Sequence, residues 1–248
     1  MLTNRIAVIS KAPATGYTNT QSVEFDGEDD RITIGDSTAL DCTSGLTVAF
    51  WHYLGDMNDA GTDVDGDIFI KAGAYRVFWI TGGGERQLKF RVFGDETSTL
   101  ISDNVSGTGT DAWGHFVFTY ENTAGSGSDE MRIYQNGSEI KNKTNANTGN
   151  LTTNTADIDI AGTIADNRQV KGKLDEFAIW NEALDADAVS AIYNSGVPFD
   201  LTEDNGDYDE YTDGLVCYLR FEGNFNDSTA NNHTVTVSNE AALVTDTP

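Results

Sequence analysis

Carboxylates are the side chains of this sequence best equipped for chemistry, and three arrangements of them stand out. In KLDEFAIW (173–180), alternation puts Asp175 on the face of Phe177 and Ile179, with Leu174, Glu176, Ala178 and Trp180 on the other. A carboxylate at the edge of a core must be paired or hydrogen-bonded, because an uncompensated buried charge is prohibitively costly, and a bound cation is one solution. In DMNDAGTDVDGD (56–67), Asp56, Asn58, Gly61 and Asp67 match ligand or glycine positions of an EF-hand loop, and Asp63 adds another candidate oxygen ligand. Ala60 replaces a ligand, however, Asp67 is shorter than the expected Glu, and the flanks are strand-like; a solvated acidic loop is the commoner fate of such a run. In EFDGE (24–28), Glu24, Asp26 and Glu28 alternate as paired hydrolytic carboxylates would, which act roughly 5–5.5 Å apart. Gly27 and the following EDD read as a turn instead, which splays the three and uses them to satisfy backbone groups.

The remaining reactive types are scattered. His52, His115 and His233 lie in separate stretches without a Ser or Cys elbow or zinc-type spacing, so packed or surface histidines are the expectation, and Cys42 and Cys217, far apart, are expected as two small buried hydrophobes. Trp51, Trp79, Trp113 and Trp180 each sit in a strand pattern, where core packing is more common than sugar stacking.

The elements that must position these residues are short alternating runs separated by Gly, Asn, Asp, Ser and Thr, the pattern of an all-β chain. LTVAFWHYL (46–54) is apolar on both faces, as a central sandwich strand is. DAWGHFVFTYEN (111–122) sends Phe116, Phe118 and Tyr120 to one face. In MRIYQNGSEIK, Asn136-Gly137 between two alternating runs predicts a two-residue hairpin with positive φ at both turn positions. The pattern changes once, at ALDADAVSAIYNSG (183–196), where Asp185 as N-cap, Val189, Ile192 and Tyr193 on one face and Gly196 at C′ predict one short helix.

Forty acidic against fifteen basic residues give a formal charge of −25, which argues against nucleic acid and anionic membranes as partners and suits cations or a salty medium. No run could span a bilayer, and the apolar stretch Ile6–Ile9 is too short for a signal-peptide core, so ordinary secretion is not expected.

Five stretches in order, SVEFDGEDDRITIGD, LTVAFWHY, DAWGHFVFTYEN, MRIYQNGSEI and GKLDEFAIWNEALDADAVSAIYNSG, resemble the LamG-like branch of the concanavalin A-like jelly-roll family. The resemblance implies an all-β jelly-roll sandwich with one short helix. GLVCYLRFEGNFNDSTANNHTVTV, near the end, looks like the segment that normally opens such a domain, which implies a circular permutation. The expected layout is one domain over 1–248: an arm (1–20), the main sandwich (21–196), an acidic linker (197–213) and a C-terminal segment (214–248) that closes the sandwich. A truncated second domain and a strand donated to a neighbour are the rivals.

The resemblance also implies a structural Ca²⁺ where the opening and closing strands meet, with Asp175, Asp227 and Asn224 as ligands; an Asp227 that merely caps a turn is the alternative. Chains of this kind are similar to structural proteins of phage particles, so the expectation is a non-enzymatic virion surface protein, a decoration, tail or fibre component, partnered by itself, other virion proteins or host glycans. A calcium-dependent carbohydrate-binding module of an extracellular cellular protein is the alternative, and a glycoside hydrolase a remote one.

Overall fold

The computed structural model describes residues 17–248 apart from 55–65, 83–84, 95, 104, 106–111, 124–128, 147–148, 163–167 and 211–213. The described strands in chain order are β1 (Ser22–Asp26), β2 (Arg31–Ile34), β3 (Gly45–Leu54), β4 (Gly66–Lys71), β5 (Tyr75–Gly82), β6 (Glu85–Phe93), β7 (Thr97–Ile101) and β8 (Trp113–Glu121). They continue with β9 (Glu130–Gln135), β10 (Ser138–Lys143), β11 (Ile158–Ile160), β12 (Lys171–Trp180), β13 (Leu215–Leu219), β14 (Val235–Ser238) and β15 (Ala242–Val244), with helix α1 (Ala186–Tyr193) between β12 and β13.

Two antiparallel sheets stack as a sandwich. The eight-stranded sheet runs β10-β9-β8-β3-β12-β1-β15, with β13 also on β12; the seven-stranded sheet runs β14-β2-β11-β4-β5-β6-β7. Period-2 alternation sends Val48 and Phe50, Phe116 and Phe118, and Val77 and Trp79 into the core between them. Phe50 of the eight-stranded sheet lies 6.3 Å from Phe69 of the seven-stranded one, and Phe69 lies 5.6 Å from Phe177, so aromatic rings interlock the layers. Cys42 and Cys217 are buried thiols in this core, and burial pushes Cys42 up to about 12.

The hairpin forms where the sequence placed it, with φ of 50° at Asn136 and 74° at Gly137 between β9 and β10. Glycine is required twice over at 137, since a Cβ there would lie 2.8 Å from the Tyr193 ring. Asp185 caps α1 by accepting the N–H groups of Asp187 and Ala188. The helix ends earlier than the glycine signal implied: Asn194 is already left-handed at φ 47°, tolerated by its short amide, which donates to the Val197 carbonyl. Val189 and Ile192 pack with Trp180, Tyr218 and Val117 in a second cluster on the outer face of the eight-stranded sheet.

The last strands join both sheets beside the first ones. β13 pairs with β12, β15 with β1 and β14 with β2. Side chains reinforce the joins: Glu240 N–H donates to Asp30 and Ser22 Oγ to the Asp246 carbonyl.

Candidate functional site

The first half of β12 (Lys171–Leu174) pairs with β1 and its second half (Phe177–Trp180) with β13, on the same edge. Asp175 and Glu176 sit at the gap between those two partners. On the opposite edge, against β3, Asp175 pairs with Trp51 and Ala178 with Ala49, so three steps on β12 match two on β3. That is a β-bulge, and Glu176 carries its positive φ of 52°. The extra residue reverses parity: Leu174 and Phe177 both enter the core, whereas alternation had placed Asp175 with Phe177.

The arm before β1 and the turn after β13 cross over this gap. Glu222 accepts the N–H groups of Thr20 and Gln21, binding the two crossing segments together. Beneath them Asp175 is 0% and Glu176 4% exposed. Glu176 accepts the hydroxyls of Tyr17 and Tyr218, and Asp175 accepts from Asn19 Nδ2 at 2.9 Å and from the Glu176 N–H at 3.0 Å. Arg220 lies over the Tyr17 ring, 4.7 Å from its centroid, and pairs with Asp200 at 2.8 Å. Burial pushes both carboxyls well above the usual range; the adjacent charge of Glu176 raises Asp175 further, while hydrogen-bond donors pull each partly back.

The donor set at Asp175 fits a hard cation in part. Among the described residues no cationic side chain pairs with Asp175, and Asn19 Oδ1 beside it is buried without a hydrogen-bond partner. A carboxylate and an amide oxygen are ligands that Ca²⁺ takes. Asp227 is differently employed. Its Oδ1 accepts the N–H of Tyr218 and Thr229, and its Oδ2 accepts Thr229 Oγ1 and the N–H of His233 and lies 2.7 Å from His233 Nδ1. Burial alone would raise this carboxyl, but those contacts outweigh it and hold it below the usual range. These five contacts employ both oxygens of Asp227 in holding its own turn, and Asn224 Oδ1 accepts the Asn226 N–H. Among the described residues, groups of three ligand-type side chains within 4.8 Å are Cys217–Asp227–His233 and Asp26–Asp29–Asp30, and Asp175 belongs to neither.

Asp56, Asn58 and Asp63 lie outside the described residues, and Asp67 is buried against Arg76 at 2.6 Å. Glu24 and Asp26 are exposed on β1, and Asp26 Oδ1 accepts the Glu28 N–H across the turn at Gly27. His52 and His115 are buried, which lowers each to about 3. Trp51 and His115 are covered by Tyr193 at ring distances of 5.8 Å, Trp79 and Trp180 are core residues, and Trp113 is half-buried against Tyr53.

The two outer faces of the sandwich differ. Helix α1, Leu201 and Tyr208 cover the eight-stranded sheet. The seven-stranded sheet is crossed on its outer side by Thr236, Thr33, Asp159, Ile70, Arg76, Arg91 and Thr99, hydrogen-bonded neighbours across the whole width, and no described helix lies on it. Two residues along, Phe78 faces outward between Asp67 and Lys89. These cations were not singled out in the sequence; alternation in YRVFWI (75–80) and QLKFRVF (87–93) is the signal that could have placed Arg76, Lys89 and Arg91 outward, but not their convergence.

A family model described as the concanavalin A-like lectin/glucanases superfamily matches residues 26–190, well over half of the sequence. The chain belongs to that superfamily. Solved structures with the lectin-like fold agree. A candidate carbohydrate-binding protein from Bacteroides ovatus superposes with a TM-score of 0.62 at 16% identity, over 92% of this chain and 60% of that one. A heptameric SAP-like pentraxin from Limulus polyphemus gives 0.52 at 15% identity, over 88% and 94%. The botulinum neurotoxin serotype G binding domain gives 0.52 at 19% identity, over 70% and 42%. This chain of the superfamily therefore spans less than two thirds of the Bacteroides protein and of the toxin domain. No curated protein matches it by sequence.

Proposed function

We propose that this chain is a non-enzymatic glycan-binding module, displayed on a phage particle as a decoration, tail or fibre component. The observation that carries the glycan reading is the outer face of the seven-stranded sheet, on which no described helix lies and which is crossed from edge to edge by polar and cationic side chains with apolar Ile70 among them. Such a mixture of apolar bodies and fixed polar groups is what orients a sugar. Two structural neighbours, one a candidate carbohydrate-binding protein and one a toxin binding domain, support the same direction.

The carboxylates argue against hydrolysis. Asp175 and Glu176 are adjacent and buried beneath the arm, and Asp26 is committed to its turn. A hydrolase needs two carboxylates across an open cleft. A calcium ion held by Asp175 with Asn19 would supply a countercharge at Asp175, which no cationic side chain among the described residues pairs with, and pin the arm to β12; the module would then be calcium-dependent in stability. The particle reading rests on the acidic composition and on the resemblance of the permuted strand order to virion proteins.

A glycan array tests the first part: retention of at least one glycan class is expected, and no retention of any overturns the glycan reading. Mass spectrometry of purified particles tests the second, with this chain expected among the structural proteins; its absence overturns the particle reading.

A further inference from the structure

Four cations converge on one aromatic ring of the open face. The Arg76 guanidinium carbon lies 4.1 Å from the Phe78 centroid, Lys89 Nζ 5.0 Å, Arg91 5.7 Å and Arg168 5.8 Å. They reach it from separate places. Arg76 and Phe78 share β5, Lys89 and Arg91 are on β6, and Arg168 is brought in by its carbonyl, which accepts the Asp67 N–H at 2.9 Å. Phe78 is only 2% exposed yet belongs to neither apolar cluster, and the cations lie against its ring.

Charge balance makes this cluster unusual. Acidic residues outnumber basic ones 40 to 15 in the chain, so a cation placed without constraint would find a carboxylate nearby. Asp67 does pair with Arg76 at 2.6 Å and lies 3.9 Å from Arg168. Lys89 and Arg91 pair with no carboxylate among the described residues; Arg91 donates only to Thr99 Oγ1, at 3.2 Å. Arg76 Nε is buried without a hydrogen-bond partner. Burial, Arg168 and Arg91 lower the Arg76 pKa, and Asp67 opposes them. Cation–π attraction holds these groups on the ring without neutralising Lys89 and Arg91.

We propose that the Phe78 cluster is a binding subsite for the anionic groups of an acidic polysaccharide, with Lys89 and Arg91 as the principal contacts. Planar guanidinium groups match the two oxygens of a carboxylate or sulfate ester, and the ligand supplies a countercharge to Lys89 and Arg91, which pair with no carboxylate among the described residues. The neighbouring row through Thr33 and Thr99 offers hydroxyls to adjoining sugars. This inference rests on the glycan reading above and names the class of glycan.

The test is titration of the full chain with polygalacturonate, chondroitin sulfate and neutral dextran, repeated with the double variant Lys89→Gln/Arg91→Gln. Lys89 and Arg91 lie outside the Asp67 ion pair, so the variant is expected to keep its melting temperature. Binding of one or both acidic polymers, weakened roughly tenfold or more in the variant as for loss of interface hot-spot side chains, is the expected result. The two acidic probes distinguish carboxylate from sulfate. Binding of dextran alone, or of acidic polymers equally by the variant, overturns the subsite and leaves the glycan reading standing. Binding of none of the three here, with none on the array, overturns both.

Discussion

Leu174 and Phe177 lie three residues apart on β12 and both enter the core between the sheets, a parity that a regular strand forbids. The bulge between them turns Asp175 and Glu176 together to the outer side, under the crossing of arm and tail. Two adjacent carboxyls are thereby buried with hydrogen-bond donors but no paired cation at Asp175.

A countercharge at that point should therefore stabilise the whole junction. Adding Ca²⁺ to chelator-treated protein is expected to raise the melting temperature, and Asp175→Asn to abolish the increase. An equal melt with and without the ion in the wild type would remove calcium from the account.

The same pair sets a pH dependence in chelator. Burial raises both carboxyls in the folded chain, whereas unfolded they titrate near about pH 4. Above that value the folded chain holds more protons than the unfolded one, so stability falls as pH rises until the folded pair has ionised. The slope is cleanest above about pH 7, where ordinary histidines have finished titrating. Urea midpoints measured upward from there should decline, and Glu176→Gln should flatten the decline; a wild type whose midpoint is level would refute it.

The histidines act in the opposite sense on the acid side. Burial lowers His52 and His115 to about 3, while an unfolded histidine protonates near about 6.5. Between those values the unfolded chain binds more protons, so stability falls as pH falls. His115→Phe, which keeps a ring against Trp51 and Tyr193, is expected to make acid unfolding less steep over that interval. Identical acid profiles for variant and wild type would contradict this.

Lys71 is fully buried, with Nζ 2.6 Å from Asp36, 3.7 Å from Asp41 and 2.8 Å from the Ala156 carbonyl. It clamps the segments flanking β2 and β11 to the end of β4. Lys71→Met leaves the Ala156 carbonyl without its donor while Asp36 and Asp41 keep contact with solvent, and should cost about 1–3 kcal/mol in urea unfolding. A loss within about 0.5 kcal/mol, typical of surface changes, would show the clamp to be dispensable.

Much of the architecture was legible locally. The run LTVAFWHYL, apolar on both faces, and the alternation of DAWGHFVFTYEN marked β3 and β8, Asn136-Gly137 marked the β9–β10 hairpin, and Asp185 marked the start of α1, because pleat, turn and cap are each decided by residues within a few positions of one another. The candidate site was legible only in its membership. Asp175 stood out as a carboxylate in an apolar strand, but which face it takes depends on a bulge forced by β1, β3 and β13 meeting on β12, and those partners are distant in sequence.

The sequence by itself determined an all-β chain with one capped helix, since period and turn chemistry are short-range properties; the sandwich was what its family resemblance implied. Only the tertiary structure decided that Asp227 spends its oxygens on Tyr218, Thr229 and His233, that Asp175 and Glu176 are both buried beneath the arm, and that cations from β5, β6 and residue 168 gather on Phe78. Convergence of that kind is set by strand order and register, which no local pattern encodes.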